Sequence, residues 1–100
     1  MIENKYTNAD GTSSYRVEIG STVSRLKEVL GEPYSEQNDG RDKVNFEWLL
    51  TLNGTDPITV YDWKQYREID EDEFIDFHIG GKSLASTEQA KEEILKLFTK

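Results

Sequence analysis

The stretch Val44-Asn45-Phe46-Glu47-Trp48-Leu49-Leu50-Thr51-Leu52-Asn53-Gly54-Thr55-Asp56-Pro57-Ile58-Thr59-Val60-Tyr61-Asp62-Trp63 decides the fold. Over residues 44–52 the side chains alternate. Val44, Phe46, Trp48, Leu50 and Leu52 share one face of a strand, and Asn45, Glu47, Leu49 and Thr51 share the other. Asn53-Gly54 is a hairpin signal, because both residues tolerate the left-handed backbone that a tight turn demands. A second strand over 57–63 then continues the inner face with Ile58 and Val60, and sends Thr59, Tyr61 and Trp63 outward.

Working outward, residues 74–79 read as a third long strand, with Ile75, Phe77 and Ile79 alternating against Phe74, Asp76 and His78. Residues 15–19 alternate in the same way and give a short strand. A helix is expected over 22–30, capped by Ser21 or Thr22, with Val23, Leu26, Val29 and Leu30 as its apolar stripe. Gly31 ends it and Glu32-Pro33 prevents continuation. A second helix is expected over 87–98, opened by Ser86 and Gln89 at capping-box spacing. It buries Ala90, Ile94, Leu97 and Phe98, and Lys91, Lys96 and Lys100 suit its C-terminus. Residues 35–43 and 68–73 read as exposed polar loops, and 1–14 as a loosely ordered leader. The order β-α-β-β-β-α predicts an α+β domain over 1–100: an antiparallel sheet with two helices on one face. Trp48, Leu50, Val60, Phe77, Ile94 and Phe98 are expected in its core.

With 20 acidic and 12 basic residues, the chain carries a formal charge of -8. That field repels nucleic-acid backbones and anionic membranes, so neither is an expected partner. No apolar run is long enough to span a bilayer. Met1-Ile2-Glu3-Asn4-Lys5 lacks the pattern of a secretory signal, and cysteine is absent, which together favour a reducing cytosol. Asn53-Gly54-Thr55 fits a glycosylation sequon, but reads better as the hairpin turn.

Catalysis has little to work with, and no cofactor or metal is expected. His78 is the sole histidine. Asp76 and His78 lie two apart on a strand, yet no serine carries the local sequence of a third partner. The run Asp70-Glu71-Asp72-Glu73 lacks the glycine and ligand spacing of a calcium loop. Gly81-Lys82-Ser83 ends like a phosphate-binding loop, but Asp76 stands where that motif needs another glycine. The chain therefore reads as a binder and not an enzyme.

Strand parity supplies a candidate surface. The outer face carries Tyr61, Trp63, Phe74 and His78, with Lys64, Arg67 and Lys82 close behind at the strand ends and Gly80-Gly81 between. Aromatic planes stack on bases, while cations and glycine amides hold phosphates. The plainer reading is that these aromatics pack against the leader or against a second copy of the chain.

Thr59-Val60-Tyr61-Asp62-Trp63-Lys64, followed by Phe77-His78-Ile79-Gly80-Gly81, resembles a motif pair in small, mostly uncharacterised proteins of bacteriophages and large DNA viruses. There a strand ends in isoleucine-tyrosine-aspartate/asparagine-aromatic-lysine, and a later one in tryptophan-histidine-isoleucine-glycine-glycine. The helix ending Leu30-Gly31-Glu32-Pro33, upstream of Trp48, is also similar, so the likeness covers about residues 20–82. Val60 and Phe77 depart from the pattern. The resemblance implies a viral origin, residence in the host cytoplasm, and a shared site around Tyr61, Lys64 and His78. It supplies no activity. Three functions fit: a sponge for a nucleotide messenger of antiviral immunity, bound by Tyr61, Trp63, Lys64, Arg67, His78, Gly80, Gly81 and Lys82; an acidic nucleic-acid mimic that inhibits a host nuclease or DNA-binding protein; or a virion accessory protein.

Overall fold

Asn53 and Gly54 both take positive φ, 54° and 85°, and Thr55 N–H closes the turn on the Leu52 carbonyl. This is the hairpin that the Asn-Gly pair announces, and the rest of the sheet is laid down on it. The computed structural model describes residues 1–5, 8 and 10–99; Tyr6, Thr7, Ala9 and Lys100, the last expected at a helix end, lie outside the described residues.

The elements are β1 (Ile2–Glu3), β2 (Glu18–Ser21), α1 (Val23–Leu30), β3 (Ser35–Glu36), β4 (Phe46–Leu52), β5 (Asp56–Tyr61), β6 (Ile75–Gly80) and α2 (Leu84–Phe98). The fold is α+β, and every strand pair is antiparallel, in the order β1-β4-β5-β6-β2. The two-residue strands β1 and β3 divide the free edge of β4: Ile2 pairs with Leu52, and Ser35 with Glu47. Neither was legible as a strand, because two residues carry no periodicity. They close an edge that would otherwise offer unpaired amides.

The inner face is the expected one. Phe46, Trp48, Leu50, Leu52, Ile58, Val60, Phe77 and Ile79 are all buried in one cluster with Val23, Leu26 and Leu30 of α1 and Ala90 and Ile94 of α2. Both helices therefore cover the same face. Trp48 stands at its centre, fully buried, stacked 6.4 Å from Phe46 and edge-on 6.3 Å from Phe77, with its indole N–H donating to the Gly31 carbonyl at 2.9 Å. Phe98, expected in the core, is only half-buried at the end of α2; the Arg25 guanidinium of α1 lies 5.6 Å over its ring and donates to its carbonyl.

The strand expected over 57–63 ends at Tyr61, leaving Trp63 beyond it, and three further boundaries move, each for a local reason. The expected strand over 15–19 starts late, because Tyr15 and Arg16 adopt left-handed φ values of 47° and 62°. The Ser14 hydroxyl accepts from Arg16 N–H and the Ser14 carbonyl from Val17 N–H, so a turn takes residues that alternation assigned to a strand. The second helix begins a turn earlier than expected: the Ser83 hydroxyl caps it by accepting from Ser86 N–H, which places Thr87 inside the helix and fully buried. Val44 leaves the inner face altogether. The chain bends at Asn45, and Val44 lines a cavity on the opposite side of the sheet.

Candidate functional site

The bend at Asn45 has an identifiable cause. Asp62, immediately after β5, is fully buried, and its carboxylate accepts from Asn45 N–H at 2.9 Å and from Phe46 N–H at 2.7 Å. Burial pushes this carboxyl above its ordinary value, and the donors from Phe46 and Asn45 pull the other way. The Asn45 side chain, also buried, donates to the Arg67 carbonyl at 2.9 Å and accepts from Gly40 N–H. The aspartate of the Tyr61-Asp62-Trp63-Lys64 motif is thus a structural clamp between two chain segments.

The clamp sets Trp63 and Lys64 beside Lys43. Lys64 N–H donates to the Lys43 carbonyl at 2.7 Å, and Lys64 itself takes a left-handed φ of 56°. For a residue with a side chain this conformation is uncommon, and such positions gather at functional sites. Its result is specific: the ammonium groups of Lys43 and Lys64 lie 5.8 and 5.5 Å from the Trp63 ring centroid. Trp63 is 38% exposed, so the ring keeps open area beside two cations.

Trp63 continues into an aromatic cluster. It meets Tyr61 edge-on at 6.0 Å, and Tyr61 stacks on His78 at 5.5 Å with planes 23° apart. Tyr61 and His78 face each other across β5 and β6, and His78 faces Glu18 across β6 and β2, its Nε2 3.4 Å from Glu18 Oε2. Beside the cluster opens a cavity of about 280 Å³, near the lower end of ligand sites, about 300 Å³. Thr12, Ser13, Val44, Glu47, Thr59, Tyr61, Trp63 and Gly80 line it. Ser13 belongs to the leader, which is held here by reciprocal backbone bonds of 2.8 and 2.9 Å between Ser13 and Gly81. Gly80 is needed for close packing, since a Cβ there would stand 2.7 Å from Thr59 Oγ1.

The expected site residues therefore divide. Tyr61, Trp63, Lys64 and His78 converge, and Gly80 joins the cavity wall. Arg67, Gly81 and Lys82 do not. Arg67 is turned to Glu73, to which its Nη1 donates at 2.8 Å. The Gly81 amide is spent on Ser13, and a Cβ on Gly81 would face Thr87 and Ile58 on the inner side. Lys82 does not line the cavity, and its carbonyl accepts from the Tyr15 hydroxyl at 3.1 Å. Phe74 shares the outer face but lies over Gly20 at another cavity, with Arg25 and Phe98.

Two residues of consequence were missed. Glu47 pairs with Tyr61 across the hairpin and lines the cavity; counting back from Asn53-Gly54 would have placed it there. Burial alone pushes its carboxyl above the ordinary value. Lys43 had no sequence signal, because its position depends on the bend at Asn45. The Tyr61 phenol is also pushed up, chiefly by burial and further by Glu47, against a bond to Ser14. An aromatic wall, hydroxyls, one half-buried carboxylate and two cations beside the Trp63 ring suit a flat polar ring attached to an anion. No family model, curated protein or solved structure matches the chain.

Proposed function

We propose that the chain binds a small anionic nucleotide and acts by sequestering it. The observation that carries this reading is Trp63 in the cavity wall with Lys43 and Lys64 both beside its ring. A base enters along Tyr61 and Trp63, and its phosphate meets the two ammonium groups. In a chain of net charge -8, a paired cationic feature next to an open aromatic ring calls for an anionic ligand. The likeness of the Tyr61–Lys64 and Phe77–Gly81 segments to viral proteins supplies the setting: a nucleotide messenger of host antiviral defence, held in the host cytoplasm. Among the described residues no helix is long and apolar enough to cross a membrane.

The nucleic-acid-mimic reading draws less support. Of the carboxylates in the acidic loop, Glu71 and Glu73 are paired with Lys27 and Arg67, and Asp72 accepts from the Ser24 hydroxyl. They are engaged with the protein's own surface instead of arrayed for a partner.

Calorimetry with mononucleotides, cyclic dinucleotides and ADP-ribose derivatives tests the proposal. At least one should bind with a Kd of about 100 µM or tighter, be returned chemically unchanged, and bind more weakly as salt rises. Lys64→Ala should weaken it about ten- to a hundredfold by removing a charge-assisted contact. A panel without a binder, or a Lys64→Ala variant that binds as well as the wild type, would refute the proposal.

A further inference from the structure

Among the described residues, Glu47 is the one charged side chain in the cavity wall. Its neighbours there are Val44, the Tyr61 and Trp63 rings, and the small polar residues Thr12, Ser13 and Thr59. It is half-buried, burial raises its pKa, and its oxygens remain open to the cavity rather than being bonded to another described side chain. Lys43 and Lys64, the nearest cations named at this site, are engaged with the Trp63 ring. The Glu47 carboxylate is therefore free to accept from donors that a ligand carries into the cavity.

The position of Glu47 also sets an orientation. A phosphate is repelled by this carboxylate and attracted by the two lysines, so a nucleotide enters base first. The cavity of about 280 Å³ has room for one base with its sugar. Any second nucleotide unit stays outside.

We propose that Glu47 reads the base and selects guanine, an assignment that rests on the nucleotide reading of this cavity. The two oxygens of a carboxylate match two parallel N–H donors, as they do for a guanidinium fork. Guanine presents such a pair, N1–H beside the N2 amino group. Adenine and cytosine each set their amino donor beside a ring-nitrogen acceptor. Uracil flanks its single N–H with two carbonyls, and those acceptors face the carboxylate unfavourably. The competing use of a carboxylate here is to hold the two hydroxyls of a ribose, which would make binding indifferent to the base.

The test is calorimetry of wild type and Glu47→Gln with GMP, dGMP, IMP and AMP, after thermal melts show both proteins folded. Guanine selection predicts that wild type binds GMP at least about tenfold more tightly than AMP. IMP, which lacks the N2 amino group, falls between them, and dGMP equals GMP. Glu47→Gln should lose most of the GMP preference, because its amide offers one donor and one acceptor where guanine's edge needs two acceptors. Equal binding of GMP and AMP by wild type, or a preference that survives in Glu47→Gln, overturns base selection and leaves nucleotide binding standing. Weak binding of dGMP alone, with AMP equal to GMP, overturns it in favour of the ribose. Binding of none of the four overturns base selection, and the wider panel of cyclic and ADP-ribose ligands then decides the fate of the parent proposal.

Discussion

At the scale of single residues, the proposed site depends on a carboxylate that does not line its cavity. Asp62 is fully buried and gathers the backbone N–H groups of Asn45 and Phe46, and this holds the bend that turns Val44 and Lys43 toward Trp63. Asp62→Ala leaves those two amides without an acceptor in a buried place. The expected loss is about 2–4 kcal/mol of unfolding free energy, read from urea denaturation, together with weakened nucleotide binding. A loss below about 1 kcal/mol would mean that the bend is held by other contacts. Trp48, by contrast, was fully legible: the alternation from Val44 to Leu52 places it inward, and its N–H finds the Gly31 carbonyl freed at the end of α1. Its packing is a property of one strand. The role of Asp62 depends on two segments meeting, which alternation does not encode.

At the scale of elements, the hairpin β4–β5 and the inner faces of β5 and β6 follow from period-two patterning and an Asn-Gly turn, which are local signals. The misplaced boundaries arise where local signals compete. Ser14 draws Tyr15 and Arg16 into a turn, and Ser83 and Ser86 both offer a cap, the choice falling to the serine that lets Thr87 reach the core. The acidic segment over 68–73 read as a solvated loop, and it is a latch. Ile69 is buried in the core, Asn38 bonds both its N–H and its carbonyl, and Arg67 grips Glu73. The bond to Arg67 holds the Glu73 carboxyl below its ordinary value of 4.5. A lowered pKa stabilises the fold at pH above that ordinary value, and the stabilisation is lost as pH falls through the lowered one. Wild type should therefore exceed Glu73→Gln in stability near neutrality, with the two denaturation curves converging as the solution is acidified. Curves that stay parallel down to acid pH would show that the pair contributes nothing. Because the latch lies away from the cavity, neutralising Glu71, Asp72 and Glu73 together should leave nucleotide affinity unchanged, whereas a mimic of nucleic acid would lose its partner.

At the scale of the whole molecule, an acidic chain concentrates aromatic rings and two cations on the sheet face that the helices leave uncovered. The outward aromatics, the sequence feature that drew attention to this face, do converge at Tyr61, Trp63 and His78. The leader also packs there, Ser13 bridging to Gly81, so cover and cavity share one surface. The cation set was only partly legible. Lys64 follows Trp63 in sequence, but Lys43 arrives from a distant loop, and Arg67 and Lys82 are drawn elsewhere by Glu73 and by the turn before α2. The two tryptophans allow the central claim to be tested directly, since Trp48 is sealed in the core and Trp63 is 38% exposed beside the cavity. Titrating GMP into the protein while following tryptophan fluorescence reports on Trp63 alone. Stacking of a base predicts saturable quenching in wild type, none in Trp63→Phe, and a midpoint shifted about ten- to a hundredfold to higher concentration in Lys43→Ala and Lys64→Ala. Fluorescence that does not change up to about 1 mM of GMP or of any cyclic dinucleotide or ADP-ribose derivative, or that is quenched equally in Trp63→Phe, would contradict a nucleotide site on this face.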